Sequence, residues 1–424
     1  MTTKSQRIKP WQLPPHKTYI FQNANIVDSE RGLIRKECTV KVSNGVIDEI
    51  KEGPLLDTQG AIIVDLEGRF LCPGFIDAHV HLMAVPGFED LSKAFGNPFA
   101  VSAFRQPYVC QQMLSRGFTS VRDCGGATYA LKEAIEDGVF PGPRLLFGPH
   151  DHEQCCGGAN GDLGRICDGV EDCIKATREQ IRTGADFIKI MAGGGVTTPT
   201  DKLENVQFTA EEVKAITTVA GNADLWVTAH AYTPKSIRHA IENGCRGIEH
   251  GNFLDEPTAK LMAEQGAFLT PTLVTYAEMN DWPGYLPPES AKKNSVVLEA
   301  GIRSLKIASE AGVTICFGTD LLGPLGSAQT REFSIRSEVL SSVDLLRTAT
   351  VNPARMLRVE DRLGQIKPGF VADLLVLESN PLEDINILDS PDKHLFAVMK
   401  EGRVYHSRWS KLPVDAPTPV SFIQ

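Results

Sequence analysis

The sequence has none of the features that would place the chain in a membrane or on a nucleic acid. Its first 22 residues lack the apolar core of a signal peptide, and no stretch approaches the roughly 18 apolar residues of a membrane span. The formal net charge is -10, and no run of five or more basic residues occurs. Because nucleic-acid partners need a basic face, we expect a cytoplasmic protein that acts on a small molecule, without a nucleic-acid or membrane partner.

Two common catalytic motifs are also missing. The glycines at 193–195 are not followed by Gly-Lys-Ser or Gly-Lys-Thr, so they do not form a phosphate-binding loop. No G-x-S-x-G segment is present, which excludes the serine-nucleophile turn of α/β-hydrolases. Most of the 10 cysteines sit inside apolar runs of a large chain without a secretory signal, so we expect reduced thiols.

The chain does contain a regular alternation of short apolar segments and helix-like stretches. We interpret eight apolar segments as buried strands, which start at Gly74, Phe118, Pro143, Asp186, Trp226, Gly247, Phe268 and Thr314. Two of the intervening helices have N-cap signals at Thr209 and Thr233, and Glu212 completes a capping box with the first. Eight alternating β and α units predict an α/β fold, a (β/α)8 TIM barrel.

The two ends of the chain have a different texture. Residues 18–70 contain short β-like pieces separated by turns, and the tail from residue 364 repeats this pattern in "GFVADLLVLE" and "HLFAVMKEGRVYH". We therefore predict a small β-sandwich domain built from residues 1–70 and 364–424, and a barrel domain formed by residues 71–363. A chain of 424 residues is long enough for both.

Two histidines separated by one residue occupy the first predicted barrel strand, in "FIDAHVHL". Side chains at positions i and i+2 of a strand point to the same face, so His79 and His81 project together. A buried neutral imidazole needs a hydrogen-bond partner or a metal ion. The eight residues alone fit a pair of satisfied core histidines and a pair of metal ligands equally well.

Further polar residues lie at or near the ends of later strands, and with the two histidines they form one set: His79, His81, Lys189, His230, His250 and Asp320. Each residue alone has an ordinary explanation, such as a satisfied core histidine, a surface lysine or a turn aspartate. In a barrel, however, the carboxyl ends of the strands converge on one mouth, where residues are catalytic. Burying four imidazoles, an amine and a carboxylate there without a cation is costly, which favours a divalent metal site.

Lys189 requires a separate explanation, because an ammonium has no lone pair with which to bind a metal ion. Burial next to metal ions favours the neutral amine. A neutral amine can add carbon dioxide and become an anionic carbamate with two oxygens. Such a carbamate can bridge two metal ions.

The segments that carry these residues resemble those of a known group of enzymes. "DAHVH", "FIKIMAGGGV", "TAHAYTP", "GIEHGN" and "GTD" are similar in order and strand placement to motifs of the amidohydrolase superfamily, and so is the tail "TVNPARMLRVEDRLGQIKPGFVADLLVLESNPL". Within the superfamily, the chain resembles the branch of metal-dependent dipeptidases and N-acyl-amino-acid hydrolases that includes prolidase-like enzymes and ochratoxinase. The resemblance covers nearly the whole chain, including the small β-domain.

The resemblance implies a centre of two divalent metal ions, expected to be Zn²⁺. The implied ligands are His79, His81 and Asp320 for one ion, His230 and His250 for the other, and Lys189, as N6-carboxylysine, for both. Two cations lower the pKa of a bridging water to near neutrality, and one polarises the scissile carbonyl. Asp320 is then expected to take the water's proton and pass it to the leaving amine. Tyr232 is implied to hold the substrate's carboxylate or the developing oxyanion, although a packing role fits almost as well.

The expected reaction is hydrolysis of the amide bond of N-acyl amino acids or dipeptides with a free carboxylate, including ochratoxin-like aromatic amides, through a metal-bridging hydroxide. Lys202 and Arg331 are further candidates to receive the carboxylate. The ligand set does not separate this reaction from hydrolysis of a carbamate, urea, lactone or cyclic amide. A non-catalytic barrel scaffold is a third interpretation, but such a relative is expected to lose ligands. We expect a homo-oligomer.

One segment departs from the pattern of that branch. A "GGHGD"-type segment usually follows the third strand, whereas this chain reads "LLFGPHDHEQCCGGANGDLGRICDG". The loop between His150 and Cys173 looks shortened, and His150 and His152 are candidates for the expected substrate-facing histidine. Its cysteines, Cys155, Cys156, Cys167 and Cys173, do not match the spacing of a standard zinc site, so we expect reduced thiols.

Overall fold

A computed structural model describes residues 8–9, 11–53, 58–91, 93, 97–148, 154–155, 164–197 and 201–415, with the backbone alone at 154, 155 and 164. The described strands are β1 (Tyr19–Asp28), β2 (Leu33–Ser43), β3 (Val46–Glu52), β4 (Ile62–Asp65), β5 (Phe70–Pro73), β6 (Phe75–Val80), β7 (Phe118–Asp123), β8 (Arg144–Phe147), β9 (Gln154–Cys155), β10 (Gly164–Arg165), β11 (Ile188–Met191), β12 (Val227–Ala231), β13 (Gly247–His250), β14 (Phe268–Thr270), β15 (Thr314–Ile315), β16 (Leu374–Leu377), β17 (Leu395–Lys400) and β18 (Arg403–Ser407). They form one mixed sheet and two parallel sheets, so the fold is α/β.

Strands from both chain ends form one eight-stranded sheet, which we call the composite sheet. Its order is β18-β17-β16-β5-β1-β2-β3, with β4 also paired to β1. The predicted sandwich is therefore one hydrogen-bonded sheet rather than two separate ones. The reason is that β1 pairs with β4 along its first half, from Tyr19, and with β5 along its second half, from Asn25. Buried residues such as Phe21, Val40 and Met399 form the core of this sheet.

The two parallel sheets contain the eight strands predicted for the barrel. One has the order β6-β7-β8, and the other has the order β10-β9-β11-β12-β13-β14-β15, in which β9 and β10 are short additions. Each predicted strand lies where the apolar pattern placed it. The eighth is only two residues long, Thr314–Ile315, because the following segment up to Asp320 is not paired as a strand.

Backbone hydrogen bonds connect the two parallel sheets on both sides. The N–H of Asp186, just before β11, donates to the carbonyl of Phe147 in β8 at 2.9 Å. The N–H of Ala78 in β6 donates to the carbonyl of Phe317, just after β15, at 2.8 Å. The carboxyl ends of all eight strands consequently lie on the same side of the molecule.

Helices separate the strands, as the sequence pattern indicates. The described α-helices are α1 (Phe99–Ser115), α2 (Tyr129–Glu136), α3 (Val170–Arg182), α4 (Ala210–Gly221), α5 (Pro234–Glu242), α6 (Glu256–Glu264), α7 (Leu273–Asp281), α8 (Pro288–Glu310), α9 (Arg331–Ser337), α10 (Ser342–Thr348), α11 (Val351–Met356) and α12 (Pro391–His394). The N-caps predicted at Thr209 and Thr233 are confirmed, and so is the capping box with Glu212. None of the described helices has the length and hydrophobicity of a membrane span.

The composite sheet is joined to the parallel strands at β5 and β8. Gly74 links β5 directly to β6, and a Cβ atom there would lie 2.2 Å from the Thr119 hydroxyl, so only glycine fits. Arg144 in β8 donates to Asp373 at 2.6 Å and to Glu401 at 2.7 Å, both of which belong to the C-terminal part of the composite sheet region. The two regions are thus held together by backbone continuity and a partly buried ionic network.

Candidate metal centre

The set of polar residues predicted from the strand ends comes together in one cluster, in which only His81 and Asp320 are partly exposed. The ring centroids of His79 and His81 are 5.3 Å apart, and those of His79 and His250 are 5.2 Å apart. The rings of His230 and His250 are closer still, with centroids 4.5 Å apart. Asp320 Oδ1 lies 3.5 Å from Nε2 of His79 and 3.2 Å from Nε2 of His81.

Strand geometry explains the inward direction of most of these side chains. In the parallel register, Lys189 is the partner of Thr228, and His230 is the partner of Glu249. Paired residues of neighbouring strands project from the same face, and Thr228 and His230 share that face at i and i+2. His250 directly follows Glu249, so a regular strand would turn its ring away from the other histidines.

Unusual backbone angles bring the last two members of the set into the cluster. His250 has a φ of 74° and Asp320 a φ of 51°, both in the left-handed region that side-chain-bearing residues rarely adopt. Such a conformation costs on the order of 1–3 kcal/mol and is typical of functional sites. The N–H of Asp320 donates to the carbonyl of His79 at 2.8 Å, which fixes this turn against β6.

A buried carboxylate orients the imidazole of His79. Glu249 Oε2 is 2.7 Å from Nδ1 of His79, and Glu249 also receives hydrogen bonds from Arg122 Nη2 at 2.7 Å and from the Thr228 hydroxyl. Burial raises the pKa of Glu249, but the charges of Arg122 and His79 outweigh burial and lower it below its ordinary value. An ionised carboxylate only accepts hydrogen bonds, so Nδ1 of His79 is the donor and its Nε2 has the lone pair that faces Asp320.

Backbone carbonyl groups orient the imidazole rings of two other histidines. His81 Nδ1 is 2.9 Å from the carbonyl oxygen of Gly125, and His230 Nε2 is 3.3 Å from that of Gly194. Because a carbonyl oxygen only accepts, the lone pair is left on Nε2 of His81 and on Nδ1 of His230. Gly194 lies under the next loop, where a Cβ atom would be 2.0 Å from the carbonyl of Lys202.

Hydroxyl groups surround the fourth histidine. His250 Nδ1 is 2.8 Å from the Thr272 hydroxyl and 2.9 Å from the Tyr276 hydroxyl. The Tyr276 hydroxyl is also 3.0 Å from that of Tyr232. The Tyr232 ring stacks on the His250 ring at a centroid distance of 5.2 Å and meets the His230 ring edge-on at 4.9 Å.

The electrostatic environment keeps most of the imidazoles neutral. Burial lowers the pKa of His79 to about 4 and that of His230 to about 3, and it lowers the pKa of His250 well below the ordinary range. His81 differs, because the hydrogen bond and charge of Asp320 outweigh burial and raise its pKa. A neutral imidazole is the form that binds divalent metals, so this donor set fits such ions.

Lys189 has only 2% of its surface exposed, and it lies close enough to His79, His230 and His250 for its charge to lower their pKa values. Its Nζ makes no hydrogen bond to any residue that the structure describes. A buried ammonium without an acceptor is unfavourable. The ligand atoms of His79, His250 and Asp320 lie within 4.8 Å of one another, which is a spacing that fits a metal ion. Lys189 is therefore buried beside ligand atoms whose spacing fits a metal ion.

Several predicted contacts lie elsewhere or outside the described residues. Lys202 is exposed on the loop after β11. The Arg331 guanidinium donates to Glu278 and Asp281, so carboxylates of the chain already occupy it. The predictions for His150, His152, Cys155 and Cys156 concern side chains outside the described part of the chain. Cys167 and Cys173 are both buried, and Cys173 is a free thiol, as expected.

Two residues next to the cluster were missed from the sequence, Glu249 and Tyr276. Glu249 stands in "GIEHG" as a carboxylate inside a buried strand, and its in-register pairing with His230 would have indicated an inward direction. Tyr276 follows Thr272 by four residues, a spacing that places both on one helix face. That spacing becomes informative only once helix α7 is known to begin at Leu273.

Comparisons with known proteins agree with the resemblance noted in the sequence. The model of the amidohydrolase family matches residues 70–405. Ochratoxinase from Aspergillus niger is 30% identical over 365 residues, which cover 79% of this chain and 75% of that protein.

Two solved structures are similar over nearly their whole length. A prolidase in complex with N-methylphosphonate-L-proline has a TM-score of 0.86 and 38% identity, and the match covers 92% of this chain and 100% of that one. A Xaa-Pro dipeptidase with methionine bound in its active site has a TM-score of 0.83 and 27% identity, with the same coverage. The chain therefore belongs to the amidohydrolase family, and it is a hydrolase of carbon–nitrogen bonds related to the prolidase and ochratoxinase branches.

Proposed function

We propose that this enzyme cleaves the amide bond of N-acyl amino acids or dipeptides that have a free carboxylate, at a centre of two zinc ions. The observation that carries the proposal is the buried cluster of four imidazoles, Lys189 and Asp320, with lone pairs directed by acceptor-only partners. In this proposal His79, His81 and Asp320 hold one ion, His230 and His250 hold the other, and Lys189, as N6-carboxylysine, binds both.

Two residues, Asp320 and Tyr232, then have defined roles in catalysis. The ions, when bound, supply positive charge that polarises the scissile carbonyl and lowers the pKa of a water. Asp320 Oδ1 faces the imidazoles of His79 in β6 and of His81 just after it, so we assign Oδ2 to accept the water's proton and to return it to the leaving amine. Tyr232 donates its hydroxyl proton to an oxygen of the substrate.

The relatives support the choice of substrate. One neighbour binds N-methylphosphonate-L-proline, a second binds methionine in its active site, and the relative from Aspergillus niger is an ochratoxinase. The first two ligands contain an amino-acid carboxylate. The surroundings of the cluster agree with an apolar substrate, since Tyr232 and Tyr276 belong to an apolar group with Val196, Leu322 and other buried side chains.

We also propose that the two parallel sheets close into one (β/α)8 barrel, with the composite sheet as a second domain. The hydrogen bonds from Asp186 to Phe147 and from Ala78 to Phe317 support closure. The predicted boundaries at residues 70 and 364 lie close to the points where the chain leaves the composite sheet, after β5 (Phe70–Pro73), and re-enters it, at β16 (Leu374–Leu377). Amide exchange of the intact protein would test the division, since two domains are expected to open independently.

The function is tested by assaying the zinc-loaded enzyme against a library of N-acyl amino acids and dipeptides, with matched carbamates, ureas and lactones. We expect the highest kcat/KM for amides of an apolar amino acid with a free carboxylate. Selective hydrolysis of ureas, carbamates or lactones would contradict the proposal. A catalytically inactive protein with full zinc occupancy would favour the scaffold interpretation.

A further inference from the structure

We propose that Tyr276 is a positioning residue that directs the hydroxyl proton of Tyr232 towards the substrate; the inference rests on the proposed function. The Tyr276 hydroxyl lies between two groups with assigned roles, 2.9 Å from Nδ1 of His250 and 3.0 Å from the hydroxyl of Tyr232. All three side chains are buried. The direction of the His250–Tyr276 hydrogen bond therefore determines the direction of the Tyr276–Tyr232 hydrogen bond, and the reverse.

The metal-binding role of His250 fixes the first bond. If Nε2 of His250 binds an ion, that nitrogen must have the lone pair, so Nδ1 has the proton and donates it. The Thr272 and Tyr276 hydroxyl oxygens, at 2.8 and 2.9 Å, are then both acceptors of that proton. The Tyr276 proton consequently remains available for the oxygen of Tyr232.

The second bond leaves the Tyr232 proton without a partner among the residues that the structure describes. In this arrangement the Tyr232 oxygen accepts from Tyr276. No described carbonyl or carboxylate accepts the proton of Tyr232 itself. A substrate carboxylate or a developing oxyanion only accepts hydrogen bonds, so this proton matches what the substrate needs.

The opposite direction would remove this function. If Nδ1 of His250 lacked its proton, Tyr276 would donate to Nδ1 and accept from Tyr232, and the Tyr232 proton would be used within the protein. Tyr276 thus links metal binding by His250 to the donor role of Tyr232. Substitution of Tyr276 by phenylalanine removes the link, but Thr272 still accepts from His250.

A double-mutant cycle of Tyr232→Phe and Tyr276→Phe in the full-length, zinc-loaded enzyme tests the inference. A hydrogen bond to a charged acceptor is worth about ten- to a hundredfold in kcat/KM. We expect Tyr232→Phe to lower kcat/KM by that factor. Tyr276→Phe should lower kcat/KM by a factor within about threefold of that of Tyr232→Phe, with the same relative changes in kcat and in KM. The double variant should lose little more than either single variant, because the two residues act as one unit.

Two further measurements separate positioning from a structural role. Chelator competition should show a zinc affinity of the Tyr276→Phe apoprotein within about threefold of the wild type, since one acceptor at His250 remains. Tyr19→Phe removes another buried tyrosine hydroxyl, which donates to Asp415 in the composite sheet region, and should leave kcat/KM unchanged.

The same double-mutant cycle can be measured without catalysis. The affinity of each zinc-loaded protein for N-methylphosphonate-L-proline is determined by calorimetry. Non-additive losses of affinity support the role of Tyr276, even if the library assay contradicts the proposed substrate. Additive losses, or a loss of zinc affinity that accounts for the loss of activity, would overturn it. An inactive wild type that still shows non-additive binding would contradict the proposed function alone.

Discussion

His79 and His250 both line the candidate metal centre, but their Nδ1 atoms have different hydrogen-bond partners. His79 Nδ1 donates to the Glu249 carboxylate, whose charge is balanced by Arg122. His250 Nδ1 meets the neutral hydroxyls of Thr272 and Tyr276. A carboxylate can only accept, so the His79 side has a fixed proton arrangement, whereas hydroxyls either donate or accept. The His79 side is therefore set by the protein alone, and the arrangement on the His250 side depends on whether a metal ion is bound.

The largest effect is expected where the two sides meet. Lys189→Ala should abolish activity, because the proposed carbamate is the ligand common to both ions. Acetate, propionate or bicarbonate should restore part of the activity by replacing the missing oxygens. The assay is kcat/KM with and without the added acid. Near wild-type rates for Lys189→Ala or Lys189→Arg would show that Lys189 is structural and that the two sides are not bridged by it.

The next effect concerns Asp320, which belongs to the His79 side. Asp320→Asn should keep most of the zinc, since the amide oxygen remains a ligand, but should lose about 10²–10⁴ in kcat, the usual value of a positioned proton shuttle. Zinc content and kcat are measured on the same preparation. An unchanged kcat would assign the proton transfer to another residue and contradict the role given to Oδ2.

The groups that orient His79 and His250 can be compared directly by removing each of them. Glu249→Ala should weaken zinc binding by about 10- to 100-fold, the usual effect of removing a group that orients a metal-binding histidine. Thr272→Val should weaken it by less than about tenfold, because Tyr276 remains as an acceptor at His250. Chelator competition on the two apoproteins gives both numbers.

Glu249→Gln is the control for that comparison, because it keeps an acceptor for His79 and removes the charge that balances Arg122. It should bind zinc better than Glu249→Ala. Equal zinc affinities for Glu249→Ala and Thr272→Val would remove the difference between the two sides.

The smallest effect concerns the substrate near Tyr232, on the His250 side. The kcat/KM for an N-acyl-phenylalanine should be at least about tenfold higher than that for its C-terminal amide. The reason is that a hydrogen bond from a good donor to a carboxylate raises kcat/KM by about one to two decades. Neither Lys202 nor Arg331 explains this preference, since the first is exposed and the second is paired with Glu278 and Asp281. Equal rates for the acid and the amide would place Tyr232 at the scissile carbonyl or in a packing role.

Much of this site was predictable from the sequence because strand geometry is regular. The alternation of side chains and the convergence of parallel strands were enough to gather His79, His81, Lys189 and His230 at one mouth. His250 is a different case, since it follows the inward-facing Glu249 and reaches the cluster only through its left-handed φ of 74°. Its place at the end of the sixth predicted strand, rather than side-chain alternation, indicated that residue.

The supporting residues were harder to predict for a related reason. The contact of Glu249 with His79 joins residues 170 positions apart, and the contact of Tyr276 with His250 depends on where α7 starts after β14. The composite sheet shows the same limit. Its strand texture was evident at both chain ends, but its single hydrogen-bonded sheet depends on β1 changing partners from β4 to β5 midway.

In the proposed centre each side of the cluster holds one ion, and the metal content of the chain tests this arrangement most directly. Elemental analysis of enzyme purified without chelators, at a protein concentration measured by amino-acid analysis, should give about two divalent ions per chain, with zinc predominant. Removal of the metal with a chelator should abolish amide hydrolysis, and two equivalents of zinc should restore it. Well under one ion per chain in a fully active enzyme would contradict the account.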